Sequence, residues 1–122
     1  VCIILSVIFL DFNIFKSELD VARELKKHKQ LRAAGAVAGV VLEEHLKKSC
    51  SNNDIKFRKK NPTISDYNDA LKKIRIVDLV TWRLIGRCVD IRNYCVHSKE
   101  RDPTPDEIDD VIRAAEKIIA EI

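Results

Sequence analysis

Arg92 and His97 bracket the stretch of this chain best suited to phosphate chemistry, Arg92-Asn93-Tyr94-Cys95-Val96-His97. A guanidinium offers a planar fork of donors that can hold a phosphate through two hydrogen bonds and stabilise charge building on its oxygens. An imidazole can give or take a proton near neutral pH, at an attacking ribose 2′-hydroxyl or at a departing 5′-oxygen. The amide of Asn93 could hydrogen-bond the phosphate or orient His97. Chemistry of this kind calls for no metal and no cofactor. The spacing alone is also what an arginine and a histidine near a helix C-terminus show when they serve the helix dipole and ordinary ion pairs. Asp90 fits either as a group orienting Arg92 or as a plain ion-pair partner. No phosphate-binding glycine loop, zinc motif or nucleophile elbow occurs elsewhere.

Five residues separate Arg92 from His97, which on a continuous helix puts them roughly 140° apart. They converge only if the helix ends near His97 and the chain is redirected, and the following Ser-Lys-Glu-Arg-Asp-Pro breaks the pattern there. The helix begins at Asp78, a suitable N-cap, and runs to about Val96, with Leu79, Trp82, Ile85, Cys88, Val89 and Tyr94 as apolar positions. Trp82 is expected to pack in the core or at an interface, with base stacking as the alternative. Arg83 and Arg87 either extend a basic stripe toward RNA or pair with acids.

The other elements follow from the same periodicity. Residues 11–30 carry apolar positions at spacings of three and four, with Ser17 as an alternative start. From Arg32 to Cys50, Gly35 and Gly39 stand four apart, as do Ala34 and Ala38, so another helix can approach closely. His45 follows two glutamates and reads as solvated or hydrogen-bonded. Residues 51–62 form the longest irregular stretch, in which Ile55 and Phe57 alternate with polar residues and allow a short extended piece. Its cations, Lys56, Arg58, Lys59 and Lys60, could meet phosphates or simply be solvated. Thr63 or Ser65 caps a helix to about Ile74. Thr104, Pro105 and Glu107 supply an N-cap, an N1 proline and an N3 acid for the last helix, Pro105 to Ile122. The sum is one all-α domain, an antiparallel bundle of four to five helices.

Composition agrees: 122 residues, 46% hydrophobic and 34% charged, with only three Gly and three Pro, leave little room for the turns of a β-fold. A formal charge of +3 does not by itself mark a nucleic-acid binder. Cys2, Cys50, Cys88 and Cys95 form no C-x-x-C pair; Cys88 and Cys95, seven apart on one helix, lie roughly 10 Å from each other, too far for a disulfide. They read as small buried hydrophobes of a reducing, cytoplasmic protein, and no metal-site spacing joins them to a histidine. Val1 to Leu10 is apolar but too short to span a membrane, and it lacks the basic start and cleavage site of a signal peptide. Residues 1–16 are expected to pack on the core or cover a partner surface. The valine start fits a piece of a longer protein as well as a stand-alone effector.

Asp90-Ile91-Arg92-Asn93-Tyr94-Cys95-Val96-His97 resembles the signature of the HEPN superfamily, in which an arginine and a polar residue precede a histidine. Arg32 to Leu46, Pro62 to Leu71, Thr81-Trp82-Arg83 and Arg101 to Thr104 resemble a prokaryotic branch of it, so the likeness covers residues 17–122. The resemblance implies a helical bundle forming a symmetric homodimer, with the arginine and histidine lining a cleft at the interface. Many members are metal-independent endoribonucleases of toxin–antitoxin or defence systems; others bind nucleotides or act as non-catalytic partners. Carried over, Arg92 would hold the scissile phosphate, Asn93 would assist and His97 would be the acid/base. Glu43 or Glu44 would fill the place of a supporting acid from an earlier helix. The implied partners are RNA or a nucleotide, a second copy of the chain, and an antitoxin or larger assembly. No membrane partner is expected from the residues themselves, since the apolar start is too short to span a bilayer and Arg32 with the charges of Glu43 to Lys48 excludes a span there.

Overall fold

The computed structural model describes residues 17–97 and 100–122, and these form five helices with no strand among them. The expectations for residues 1–16, Cys2 included, lie outside the described residues. Helix α1 covers 17–27, α2 Leu31–Asn52, α3 Ile64–Lys73, α4 Leu79–Val96 and α5 Pro105–Glu121. The first helix is shorter at its end than the periodicity suggested. Lys29 turns into the left-handed region at φ 63°, and Gln30 N–H closes back on Leu25 O at 2.8 Å, so α1 stops before Gln30. Ser17 is already helical and is not the cap.

The remaining starts obey local chemistry. Thr63, not Ser65, caps α3, in a reciprocal box with Asp66. Asp78 caps α4 by accepting from Thr81 N–H at 2.8 Å. Thr104 and Glu107 form the same box at the start of α5, with Pro105 in its first turn. Between α2 and α3 the irregular stretch contains no strand. Ile55 and Phe57 instead turn partly inward, and the Phe57 ring meets Tyr67 edge-on at 5.3 Å.

The core gathers one face from each helix: Leu19 and Ala22, then Val41, Leu42 and Leu46, Ile64 and Leu71, Ile85 and Ile91, and Ile108, Val111, Ile112 and Ile118. Helix α2 is central, packing against α3, α4 and α5. Its glycines set the closest approach. A Cβ on Gly35 would lie 2.3 Å from Cys95 Sγ, and one on Gly39 would lie 2.5 Å from Arg92 Cγ. Position rises along α2 as it falls along α4, so the two run antiparallel. Lys26 to Asp109 at 2.7 Å and Arg23 to Glu116 tie α1 to α5, also antiparallel. Cys50, Cys88 and Cys95 are free and buried, as expected of small hydrophobes. Burial pushes the Cys88 thiol up to about 12 and raises Cys50 and Cys95 as well. No helix of the described residues is long and apolar enough to cross a membrane.

Candidate functional site

Helix α4 ends where the chemistry would need it to. His97 is its C-cap residue, and His97 N–H still donates to Asn93 O at 2.8 Å. The stop is enforced from a distance by Arg32 in the first turn of α2. Its guanidinium donates to the carbonyls of Tyr94 at 2.5 Å and Cys95 at 3.4 Å, groups that the last turn of a helix leaves without partners. The same fork reaches Arg101 O at 2.8 Å and the Asp102 carboxylate at 3.0 and 3.2 Å. Arg32 thus ties both sides of the α4–α5 connection together.

A second knot lies beside it. The Arg101 guanidinium sits 4.1 Å over the Tyr94 ring and grips both oxygens of Glu107 at 2.8 and 2.9 Å. Glu107 also accepts from Thr104 N–H at 3.0 Å, closing the cap of α5. The Arg101 fork, with help from that N–H, holds the Glu107 carboxyl at about 2, and Glu107 in turn raises Arg101. Arg32, Arg101 and Glu107 fix the end of α4, and only Glu107 had a local signal, its place in the capping box. The two arginines reach partners that no sequence spacing announces.

His97 keeps a right-handed helical conformation, φ −114° and ψ −29°, so the chain is not redirected at this residue. It therefore shares a face with the residues one and two turns before it. Asp90, Asn93, Tyr94 and His97 line an open groove of about 340 Å³. Arg92 is not among them. Its stem crosses α2 against Gly39, and Nε is buried with no hydrogen-bond partner among the described residues. Convergence of Arg92 and His97 within one chain was the expectation, and this groove does not provide it. Nor does Asp90 orient Arg92: no hydrogen bond or ion pair joins them, because residues two apart point roughly 160° from each other around a helix. Asp90 belongs with His97 instead.

The other candidates are dispersed. Glu43, half-buried, and Glu44, exposed, lie on α2 beyond Gly39, on the side away from His97. Their charges are felt at Tyr67, whose hydroxyl is raised first by burial and then by Glu43. Neither pairs with Arg92. His45 is half-buried rather than solvated, and burial lowers its pKa. Lys56, Arg58 and Lys60 are exposed, and Lys59 reaches Asp66 in the first turn of α3 at 3.2 Å. That turn adjoins Tyr67, whose carbonyl accepts from the Cys50 thiol at 3.8 Å. Cys50 is eleven residues of α2 past Gly39, or about 16 Å along the axis. One chain therefore keeps the basic loop apart from His97.

On α4, Arg83 is exposed and Arg87 pairs with Asp110 at 2.9 Å. The Trp82 indole Nε1–H donates to Asp69 at 2.8 Å and Lys72 stands 4.3 Å over its ring, so the side chain packs between α3 and α4 with one face covered. Trp82, Arg83, Gly86, Arg87, Val89 and Asp90, with Ser65, Asn68 and Asp69 of α3, line a second open groove of about 520 Å³. Asp90 borders both grooves, so the outward face of α4 is open from Trp82 to His97. Among the described residues no three His, Cys, Asp or Glu side chains group as metal ligands would. Compared with known protein families, curated proteins and solved structures, the chain matches none.

Proposed function

We propose that the chain is a metal-independent endoribonuclease of HEPN type, a toxin or defence effector, that works as a homodimer through Arg92, Asn93 and His97. The observation that carries this reading is the open face of α4, which ends in His97 held at a fixed helix terminus beside Asn93. A second copy laid on that face would bring its own Asn93 and His97 to the same cleft. Gly86, where an added Cβ would meet nothing within 4 Å, leaves room for such an approach. A paired cleft would supply two imidazoles and exclude water that otherwise screens charge on the phosphate. One imidazole takes the proton of a ribose 2′-hydroxyl as its oxygen attacks the adjacent phosphorus. The other delivers a proton to the 5′-oxygen as the P–O5′ bond breaks, leaving a 2′,3′-cyclic phosphate and a 5′-hydroxyl.

A second reading is favoured by the placement of Arg92. Its stem is packed on Gly39 and lines a different surface from His97. A module that binds RNA or a nucleotide, or that only dimerises, would need no convergence of the two. Incubating a mixed RNA pool with the purified chain in chelator, beside His97→Ala, separates the readings. The nuclease reading expects cleavage by the parent and none by the folded variant. Saturable RNA binding without product by the folded, dimeric parent moves the assignment to the binding module.

A further inference from the structure

Turns between helices ordinarily carry polar residues. The turn from α3 into α4 does not: residues 74–80 read Ile-Arg-Ile-Val-Asp-Leu-Val. Val77 alone goes into the core, at 1% exposure. Val80 is 71% exposed, and Ile74, Ile76 and Leu79 lie between 43% and 47%. The turn is held by its own backbone. Ile76 and Val77 N–H both donate to Leu71 O, at 3.0 and 3.2 Å, and Arg75 N–H donates to Lys72 O at 3.0 Å. Arg75 adopts φ 65°, a conformation that residues with side chains rarely take. The backbone thus holds these aliphatic side chains at one end of the bundle, where they stay in water. Lys73 and Arg75 have no ion-pair partner among the described residues. The one carboxylate of the turn, Asp78, is engaged with Thr81 N–H.

We propose that this turn seats the protein on an anionic bilayer surface. Ile74, Ile76, Leu79 and Val80 enter the boundary between headgroups and acyl chains, and Lys73 and Arg75 face the lipid phosphates. Aliphatic side chains flanked by unpaired cations match an anionic interface in both hydrophobicity and charge. The contact is peripheral and independent of the nuclease reading. A tight turn at the end of a bundle is also convex, whereas capture of a partner helix needs a concave apolar groove.

The test is co-sedimentation of the full chain with vesicles of phosphatidylcholine alone or mixed with phosphatidylglycerol. The proposal expects binding to the mixed vesicles only, weakened by salt and by Arg75→Glu. Ile76→Asp combined with Val80→Asp should lower partitioning about tenfold or more at unchanged helical content. If the double variant does not fold, Val80→Asp alone, at the most exposed position, carries the test. Equal binding by the variants would assign any vesicle affinity to another part of the chain, such as the apolar residues 1–10, and would overturn the proposal. So would no binding to the anionic vesicles, which would leave an acidic protein surface as the target of the turn.

Discussion

Gly35 and Gly86 make opposite demands on an added methyl group. At Gly35 a Cβ falls 2.3 Å from Cys95 Sγ, about 1.1 Å inside the ordinary contact range that starts at 3.4 Å, with Ile108 Cδ1 at 3.1 Å behind it. Both neighbours are buried core residues and have little room to move. Overpacking costs about 1–3 kcal/mol, with an approach this close at the upper end, about 2–3 kcal/mol, and the better helix propensity of alanine returns about 1 kcal/mol. Gly35→Ala is therefore expected to destabilise by about 1–2 kcal/mol. Gly86 is also in mid-helix but has nothing within 4 Å, so Gly86→Ala should keep the propensity gain of about 1 kcal/mol undiminished. In thermal unfolding the two variants should move in opposite directions, each by roughly 4 °C or more. Removing the obstruction gives the sharper test. Cys95→Ala leaves a small cavity alone, yet it should relieve Gly35→Ala, with a coupling of about 1–2 kcal/mol in a double-mutant cycle. A Gly35→Ala protein as stable as the parent, or no coupling to Cys95→Ala, would refute the close approach of α2 and α4.

Arg32→Ala should cost about 2–3 kcal/mol, because the α4 carbonyls lose a charged donor, and amide exchange should speed up in residues 93–97; an unchanged exchange pattern would show that the helix end is held otherwise. Glu107 carries a folded-state pKa of about 2 against an ordinary 4.5. Its stabilising contribution is complete above pH 4.5 and is lost as the pH falls toward 2, so melting curves of Glu107→Gln should show a shallower acid limb than the parent across that window.

Helix α4 was legible because its signals are local. The Asp78 cap and the break after His97 lie within a few residues of the features they specify, and the Thr104-Pro105-Glu107 start of α5 is equally self-contained. Gly35 and Gly39 announced a close helix contact, and one formed, against Cys95 and Arg92. The internal geometry of the Arg92–His97 motif was not legible. It depends on whether residue 97 keeps helical backbone angles, and that choice grouped His97 with Asp90 and Asn93. The loop cations were visible as a cluster, but their distance from His97 depends on how α2, α3 and α4 align along the bundle. The role of Arg32 was not legible, because partners such as Tyr94 and Asp102 lie 62 and 70 residues away in the chain.

The grip of Arg32 on the end of α4 bears on the order in which the site comes into being. The segment that closes α4 is synthesised after its clasp, and the carbonyls of Tyr94 and Cys95 find that partner only once α2 and α4 have docked. A peptide spanning α4 and the connection alone would have a frayed, ill-defined terminus, with His97 in no fixed place. Formation of the groove is then a late event coupled to tertiary assembly rather than a property of one helix. Its occupancy in a heated or partly denatured sample should follow the folded population measured across α2 and α4, even where α4 itself remains helical.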